Sequence, residues 1–386
     1  MQAVELLAAG RHSRVLLCRG TDGAPVLLKA TRLIDQQTAE RAQREIEFAS
    51  SSALLGGFVV RSRGWLVVDA VEAYVWLDWL PGGSIELLVD REGSLNPAAA
   101  RFYSGCLALA LEALHAQGVL HRDVKPDNLC VGADGYAKLV DLAYARALPA
   151  TADGRLHTLL GTPEYLSPEA FTGAGQALPS DVWAFGVSLY EMLLSSLPWQ
   201  SGENPQELYA SVLARPPFFP LNICPTSAKQ LIESCLSKEP DKRPTVRDLW
   251  QHDFYRYALP PSAAGGLDRE ALLARTVTPP FVPRLSSPFD TRHFRTAEEV
   301  EEQEAAGRGG GLAGSSLGPV LAVTQPGGQT SVGVRGEEQG ALRTGAEAGE
   351  LTLAAGAEEL ANYRPPEVPC ADAFTSAIGS SHPRAS

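Results

Sequence analysis

Short apolar runs at 4–7, 15–18, 26–30, 66–68 and 74–77 predict five strands, punctuated by Gly10, Gly20, Asp22-Gly23 and Gly64. Between the third and fourth runs, the charge density and spacing of 37–51 predict one helix. After Pro81-Gly82-Gly83 the periodicity becomes helical. Asn96-Pro97 supplies an N-cap and a first-turn proline, Phe102, Cys106, Leu109, Leu111 and Leu114 follow at helical spacing, and Gly118 suits the helix end. The stretches 180–197 and 226–236 predict two further helices. A small strand-rich lobe joined near residue 80 to a larger helical one is an α+β fold, bilobal, with a ligand cleft where the lobes meet.

At 386 residues the chain can bury a core without disulfide staples. Its net charge of −12 is unevenly spread: residues 298–386 carry −8 of it and 15 of the 36 glycines, with few aromatics, and are expected to be a disordered tail. An isoelectric point near 5.2 without a basic block argues against nucleic acid as a partner. The six cysteines are far apart with no C-x-x-C pair, which fits a reducing compartment rather than a zinc site or a disulfide framework. No apolar run reaches the ~18 residues of a membrane span, and Met1-Gln2-Ala3-Val4-Glu5 lacks the charged start of a signal peptide. The expected location is the cytoplasm. Lysine is scarce, with six among 33 basic residues, so each lysine position carries information.

His121-Arg122-Asp123-Val124-Lys125-Pro126-Asp127-Asn128 follows the long helix and precedes the apolar run 129–131, which places it in a loop between ordered elements. Asp123 can accept a proton from a hydroxyl nucleophile, Asn128 can offer a neutral oxygen to magnesium, and Lys125 can set a point charge on a transferred phosphate. The octet resembles the catalytic loop of eukaryotic protein kinases, H-R-D-x-x-x-x-N. Further stretches match that family in order. Val26-Leu27-Leu28-Lys29 is similar to the strand with the phosphate-contacting lysine, and Glu45, on the small lobe's helix, is placed to pair with Lys29. Lys138-Leu139-Val140-Asp141-Leu142-Ala143 falls where the magnesium-binding D-F-G belongs. Gly161-Thr162-Pro163-Glu164-Tyr165-Leu166-Ser167-Pro168-Glu169 resembles the end of the activation segment, Asp181 opens the helix that anchors the catalytic loop, and Arg243 matches the family's partner for Glu169.

Beyond this, Val277-Thr278-Pro279-Pro280-Phe281-Val282-Pro283 and Ser287-Pro288-Phe289-Asp290-Thr291-Arg292-His293-Phe294 resemble the C-terminal extension of the AGC group, the cyclic-nucleotide-dependent and especially cGMP-dependent kinases. The resemblance implies an ATP-binding small lobe at 1–80, a catalytic large lobe at 81–257, an extension at 258–297 and the acidic tail at 298–386. It implies a serine/threonine protein kinase using ATP and Mg²⁺. The nucleotide would lie against Gly10, Val15, Lys29, Glu45, Asp78, Leu80, Cys130 and Phe294, with Asn128 and Asp141 on the metal. Asp123, Lys125, Asn128 and Thr162 would form the catalytic set. Lys125 and Thr162 favour protein serine or threonine over tyrosine as the acceptor. Arg122 would capture a phosphate placed on Thr158 by an upstream kinase or by autophosphorylation.

The chain departs from the family at several points. The phosphate-covering loop reads Ala8-Ala9-Gly10-Arg11-His12-Ser13, so one glycine of G-x-G-x-x-G remains. Leu27 replaces the alanine over the adenine, Leu142 and Ala143 replace the phenylalanine and glycine of D-F-G, and Ser84 replaces a glutamate that reads substrate arginine, with Glu86 out of register. Two readings remain at this level: an active kinase, or a pseudokinase scaffold that keeps the fold and binds nucleotide weakly. Retention of Lys29 and Lys125 in an arginine-rich chain favours the first.

Overall fold

In the computed structural model, the structure describes residues 2–10, 12–50, 57–68, 71–150, 153–199, 205–220, 224–257, 265–296 and 299. The expected acidic tail and Cys370 lie outside the described residues, apart from Glu299. Five antiparallel strands, β1 (Gln2–Ala9), β2 (Ser13–Arg19), β3 (Pro25–Arg32), β4 (Ser62–Val68) and β5 (Glu72–Leu77), form one sheet in the order β1-β2-β3-β5-β4. All five coincide with the apolar runs, extended by a few residues into their polar flanks. Gly64 does not separate strands as the sequence suggests. It lies inside β4 at φ 151°, at a bulge where the register shifts between Ser62 and Gly64, a conformation that a side chain would resist.

Helix α1 (Gln36–Ser50) packs on the sheet through Ala39, Ala42 and Ile46, which are buried at helical spacing. Its start is tied down by the Asp35 carboxylate, which accepts the Thr38 N–H at 2.8 Å. The larger lobe opens with α2 (Ile85–Glu92), capped by the Ser84 hydroxyl, and α3 (Pro97–Ala116), whose first turn is held by Asn96 Oδ1 accepting the N–H groups of Ala98 and Ala99. Gly118 follows α3 at φ 66°, as its place in the sequence predicts. Helix α4 is a single turn (Pro168–Phe171), and α5 (Leu178–Leu194) is buried along nearly its whole length. It stops three residues short of the predicted end because Ser195 adopts φ 49° and terminates the ladder. Helices α6 (Pro205–Ala214), α7 (Thr226–Cys235), α8 (Asp253–Arg256) and α9 (Arg269–Leu273) complete the lobe. Gly186 lets α5 approach α7: a Cβ there would lie 2.7 Å from that of Cys235.

Between α3 and α5 in sequence run the short pairs β6 (Val119–Leu120) with β9 (Arg146–Ala147), and β7 (Leu129–Val131) with β8 (Ala137–Leu139). The segment 78–84 joins the lobes and is bonded to β7 through Gly82 N–H to Val131 O and Val131 N–H to Gly83 O, both 2.9 Å. The extension returns across this junction. Trp79 Nε1 donates to Pro288 O at 3.0 Å, the Phe294 ring stacks on Trp79 at 4.9 Å, Arg19 lies over the Phe289 ring, and Thr291 Oγ1 donates to Glu5 at 2.8 Å. Gly83 permits the closest approach: at φ 75°, its Cβ would fall 2.2 Å from His293 O.

Candidate active site

The loop 121–128 is bent by backbone strain and held by one buried carboxylate. Arg122 has φ 67° and Asp141 φ 57°, left-handed conformations that cost a non-glycine residue about 1 kcal/mol or more. Asp181, at the first turn of α5, accepts the N–H groups of His121 at 2.9 Å and Arg122 at 3.0 Å, and lies 2.9 Å from His115 Nε2. Burial opposes its charge, yet these donors hold its carboxyl below the usual carboxylate range. His121 donates from Nε2 to Val140 O at 3.0 Å and accepts the Asp123 N–H at Nδ1, which ties the loop to the strand leading into Asp141.

This frame presents Asp123 with both carboxylate oxygens engaged. Oδ1 accepts the Thr162 N–H at 3.0 Å and its hydroxyl at 2.6 Å; Oδ2 accepts Asn128 Nδ2 at 2.9 Å and lies 3.3 Å from Lys125 Nζ. Lys125 also donates to Thr162 Oγ1 at 2.9 Å. The structure thus brings together Asp123, Lys125, Asn128 and Thr162, residues up to 39 positions apart.

On the small-lobe side, Lys29 Nζ lies 2.9 Å from Glu45 Oε1 and 2.8 Å from Asp141 Oδ1. Burial works against the ammonium, but the carboxylates of Asp141 and Glu45 together raise its pKa above the ordinary lysine value. Burial likewise works against the Asp141 carboxylate, and Lys29 pulls its pKa down to about 2. Val15 is the β2 partner of Lys29 in register, and Leu27, two residues before Lys29, shares its face of β3. Leu80 is buried where the lobes join. Cys130 lies in β7 opposite Lys138, and burial pushes its thiol well up. Gly10 closes a tight turn with its N–H donating to Ser13 O at 2.8 Å; Arg11 lies outside the described residues. Ala143 adopts no positive φ, and its N–H faces Asp141 Oδ1 at 3.4 Å, so the glycine this position replaces is not needed for the conformation seen. Asp78 offers its carboxylate to Arg63 and Lys138, and Phe294 is at the junction through its stack on Trp79.

The donor set fits magnesium. Asp141 is ionised, and Asn128 uses its amide nitrogen on Asp123, which leaves its carbonyl oxygen for a cation. One carboxylate and one neutral oxygen suit a hard ion that keeps waters and phosphate oxygens as its other ligands. Accordingly, the described residues contain no group of three or more His, Cys, Asp or Glu side chains able to hold a metal unaided.

The activation segment ends on a buried ion pair. Arg243 grips Glu169 with two bonds of 2.7 and 2.8 Å, and Ser180 Oγ donates to the same carboxylate at 2.7 Å. Arg122, 5% exposed, donates Nε to Tyr144 O at 2.7 Å, while its two terminal nitrogens are buried without a partner. Burial first, then Arg44 and Arg146, press its pKa down to about 10. Arg44 and Arg146 line an open pocket of ≈ 340 Å³ between α1 and β9. Thr158 is exposed, between the buried anchors Leu156 and Leu160. Sequence reasoning did not single out Arg44, Arg146, Tyr165 or Glu191. The first two are legible only once α1 and β9 are known to converge on Arg122. Tyr165 donates to Glu191, whose burial and acidic neighbours Glu86, Asp90 and Asp127 raise its pKa to about 7.

The family model for the protein kinase domain matches residues 1–255. Among curated proteins, the chain is 30% identical over 262 residues to a cGMP-dependent protein kinase of Eimeria tenella, covering 66% of this chain and 24% of that one. It is 33% identical over 219 residues to a RAC family serine/threonine-protein kinase homolog of Dictyostelium discoideum, covering 56% and 47%. It is 35% identical over 224 residues to the serine/threonine-protein kinase gad8 of Schizosaccharomyces pombe, covering 57% and 37%. The match therefore spans less than half the length of each of these relatives. The chain belongs to the protein kinase family, and within it is similar to serine/threonine kinases of the AGC type.

Proposed function

We propose that the chain is an active serine/threonine protein kinase of the cytoplasm, with protein hydroxyls as its acceptors. The observation that carries this reading is Lys29 clamped between Glu45 and Asp141 at 2.9 and 2.8 Å, beside an Asp123 whose carboxylate is oriented by Thr162 and Asn128. When bound, Mg²⁺ and ATP supply the phosphoryl group and neutralise its developing charge. Lys29 would hold the nucleotide phosphates, Asp141 and Asn128 would hold the metal, and Lys125 would set its ammonium toward the transferred phosphate. Asp123 orients the acceptor hydroxyl and takes its proton, while Thr162 keeps the carboxylate turned toward the incoming chain. No helix among the described residues is long and apolar enough to cross a membrane.

Thr158 is the proposed control point. A phosphate there would meet the unpartnered terminal nitrogens of Arg122, with Arg44 and Arg146 beside them, and order the segment through charge-assisted bonds. The deciding experiment is phosphate transfer from ATP/Mg²⁺ to a mixed Ser/Thr peptide library, with Asp123→Asn as control. Wild type should exceed the control by about 100-fold or more; equal backgrounds would establish the scaffold reading instead. Thr158→Ala should lower the activity of cell-derived protein, and unchanged activity would remove Thr158 from the scheme.

A further inference from the structure

We propose that Asp78 is a positioning residue whose carboxylate clasps the inter-lobe segment to the strand leading to Asp141, and so tunes how firmly the cleft holds nucleotide. The proposal rests on the kinase reading above. Asp78 follows β5 directly, and its N–H donates to Arg61 O at 3.0 Å. Its side chain is 13% exposed and meets three cations: Arg63 Nε at 2.9 Å, Arg61 Nη2 at 3.7 Å and Lys138 Nζ at 3.3 Å. The arginines stand at the start of β4, in the small lobe. Lys138 is the middle residue of β8, in the large lobe and three positions before Asp141.

The main chain around this carboxylate is already a ring. The junction is bonded to β7 through Gly82 and Gly83, β7 pairs with β8, and β8 is bonded to 58–60 through Leu139 N–H to Phe58 O at 2.8 Å and Val60 N–H to Leu139 O at 2.9 Å. Segment 58–60 runs straight into Arg61 and Arg63. Asp78 is the side chain that spans the ring, joining its small-lobe and large-lobe arcs. Its charge is what keeps Arg61, Arg63 and Lys138 together. Burial acts against that charge, and Arg63 and Lys138 hold its carboxyl below the usual range. Without the carboxylate, three cations face one another and both Asp78-to-Leu80 and Leu139-to-Asp141 lose a tether. Those are the segments assigned to the nucleotide and its metal. The expected consequence is weaker nucleotide binding with the transfer step less affected, because Asp123, Lys125 and Thr162 do not touch this knot.

The test uses the full chain with Asp78→Asn, Lys138→Met, the double variant and Asp78→Glu. Both single variants should raise the KM for ATP and the Kd for ATP by about 5-fold, with kcat changed far less, and the double variant should be no worse than Asp78→Asn, because the Asp78–Lys138 contact is already lost in that single variant. Asp78→Glu should restore most of the affinity. Hydrogen exchange at 78–80 and 139–141 should quicken in both single variants. Lys138→Met leaves the junction's own residue in place and decides the question if Asp78→Asn fails to fold. Wild-type KM and exchange in these variants, additive effects in the double, or a fall in kcat at constant KM would each overturn the clasp. A wild-type chain that neither binds nucleotide nor transfers phosphate would overturn the kinase reading, and the exchange measurement would then still judge the clasp by itself.

Discussion

Replacing Glu191 by glutamine should stabilise the protein, and do so only above mildly acidic pH. Glu191 is half-buried on α5, accepts the Tyr165 hydroxyl, and shares its surroundings with Glu86, Asp90 and Asp127. Burial first, then those carboxylates, lift its pKa from 4.5 to about 7. A carboxyl whose folded pKa is raised binds its proton more tightly when folded, so its contribution is fully present below pH 4.5 and is lost as pH rises through about 7. At pH 8 the charged form carries a burden of about 3 kcal/mol, which partial exposure and salt reduce to about 2. At pH 5 the burden is below about 1 kcal/mol. Glutamine keeps an acceptor for Tyr165 and removes the charge. Thermal unfolding of wild type and Glu191→Gln at both pH values should show Tm raised by about 4 °C at pH 8 and nearly unchanged at pH 5. An equal shift at the two pH values, or a fall in Tm at pH 8, would refute the assignment of a raised pKa to this residue.

Lys29→Met should leave Glu45 and Asp141 facing each other without a cation, lower phosphate transfer by about 100-fold or more, and raise the pKa of Asp141 from about 2, readable as a changed pH dependence of metal-dependent nucleotide binding. Glu169→Ala should destabilise the large lobe by about 3–5 kcal/mol in denaturant unfolding, because the fully buried Arg243 side chain loses both carboxylate bonds; a cost near zero would mean that the pair is solvated in solution.

The architecture was legible wherever a local signal determines it. Asn96-Pro97 and Gly118 bracket α3 because capping is a matter of a few adjacent residues, and the five strands follow from runs bounded by turn residues. Gly64 misled for the same reason: a glycine at a bulge and a glycine in a turn look alike until the partner strand is known, and here Trp76 is that partner. That Asp123, Lys125, Asn128 and Thr162 meet was legible because the first three lie within one octet and Thr162 lies in a motif with its own spacing; a catalytic role for them is the proposal. Arg44 and Arg146 were not, since they come from a helix surface and a two-residue strand that carry no pattern of their own. Glu191 was hidden in the same way: on an apolar helix it reads as a lone exposed charge, and only the fold places Tyr165 over it.

The arginine-rich composition gives the retained lysines their force. At position 29 a compact ammonium reaches two carboxylates at 2.8 and 2.9 Å from strand β3, and a planar guanidinium, longer and fixed in its fork, would push Glu45 or Asp141 out of place. Lys125 bridges Asp123 and Thr162 within 3.3 Å, again a point contact rather than a fork. Arginine appears where a fork is wanted, as in the two-bond grip of Arg243 on Glu169. Under the proposed function both positions also face a phosphate, which a small, mobile ammonium can approach as a point charge while still holding its carboxylate partners.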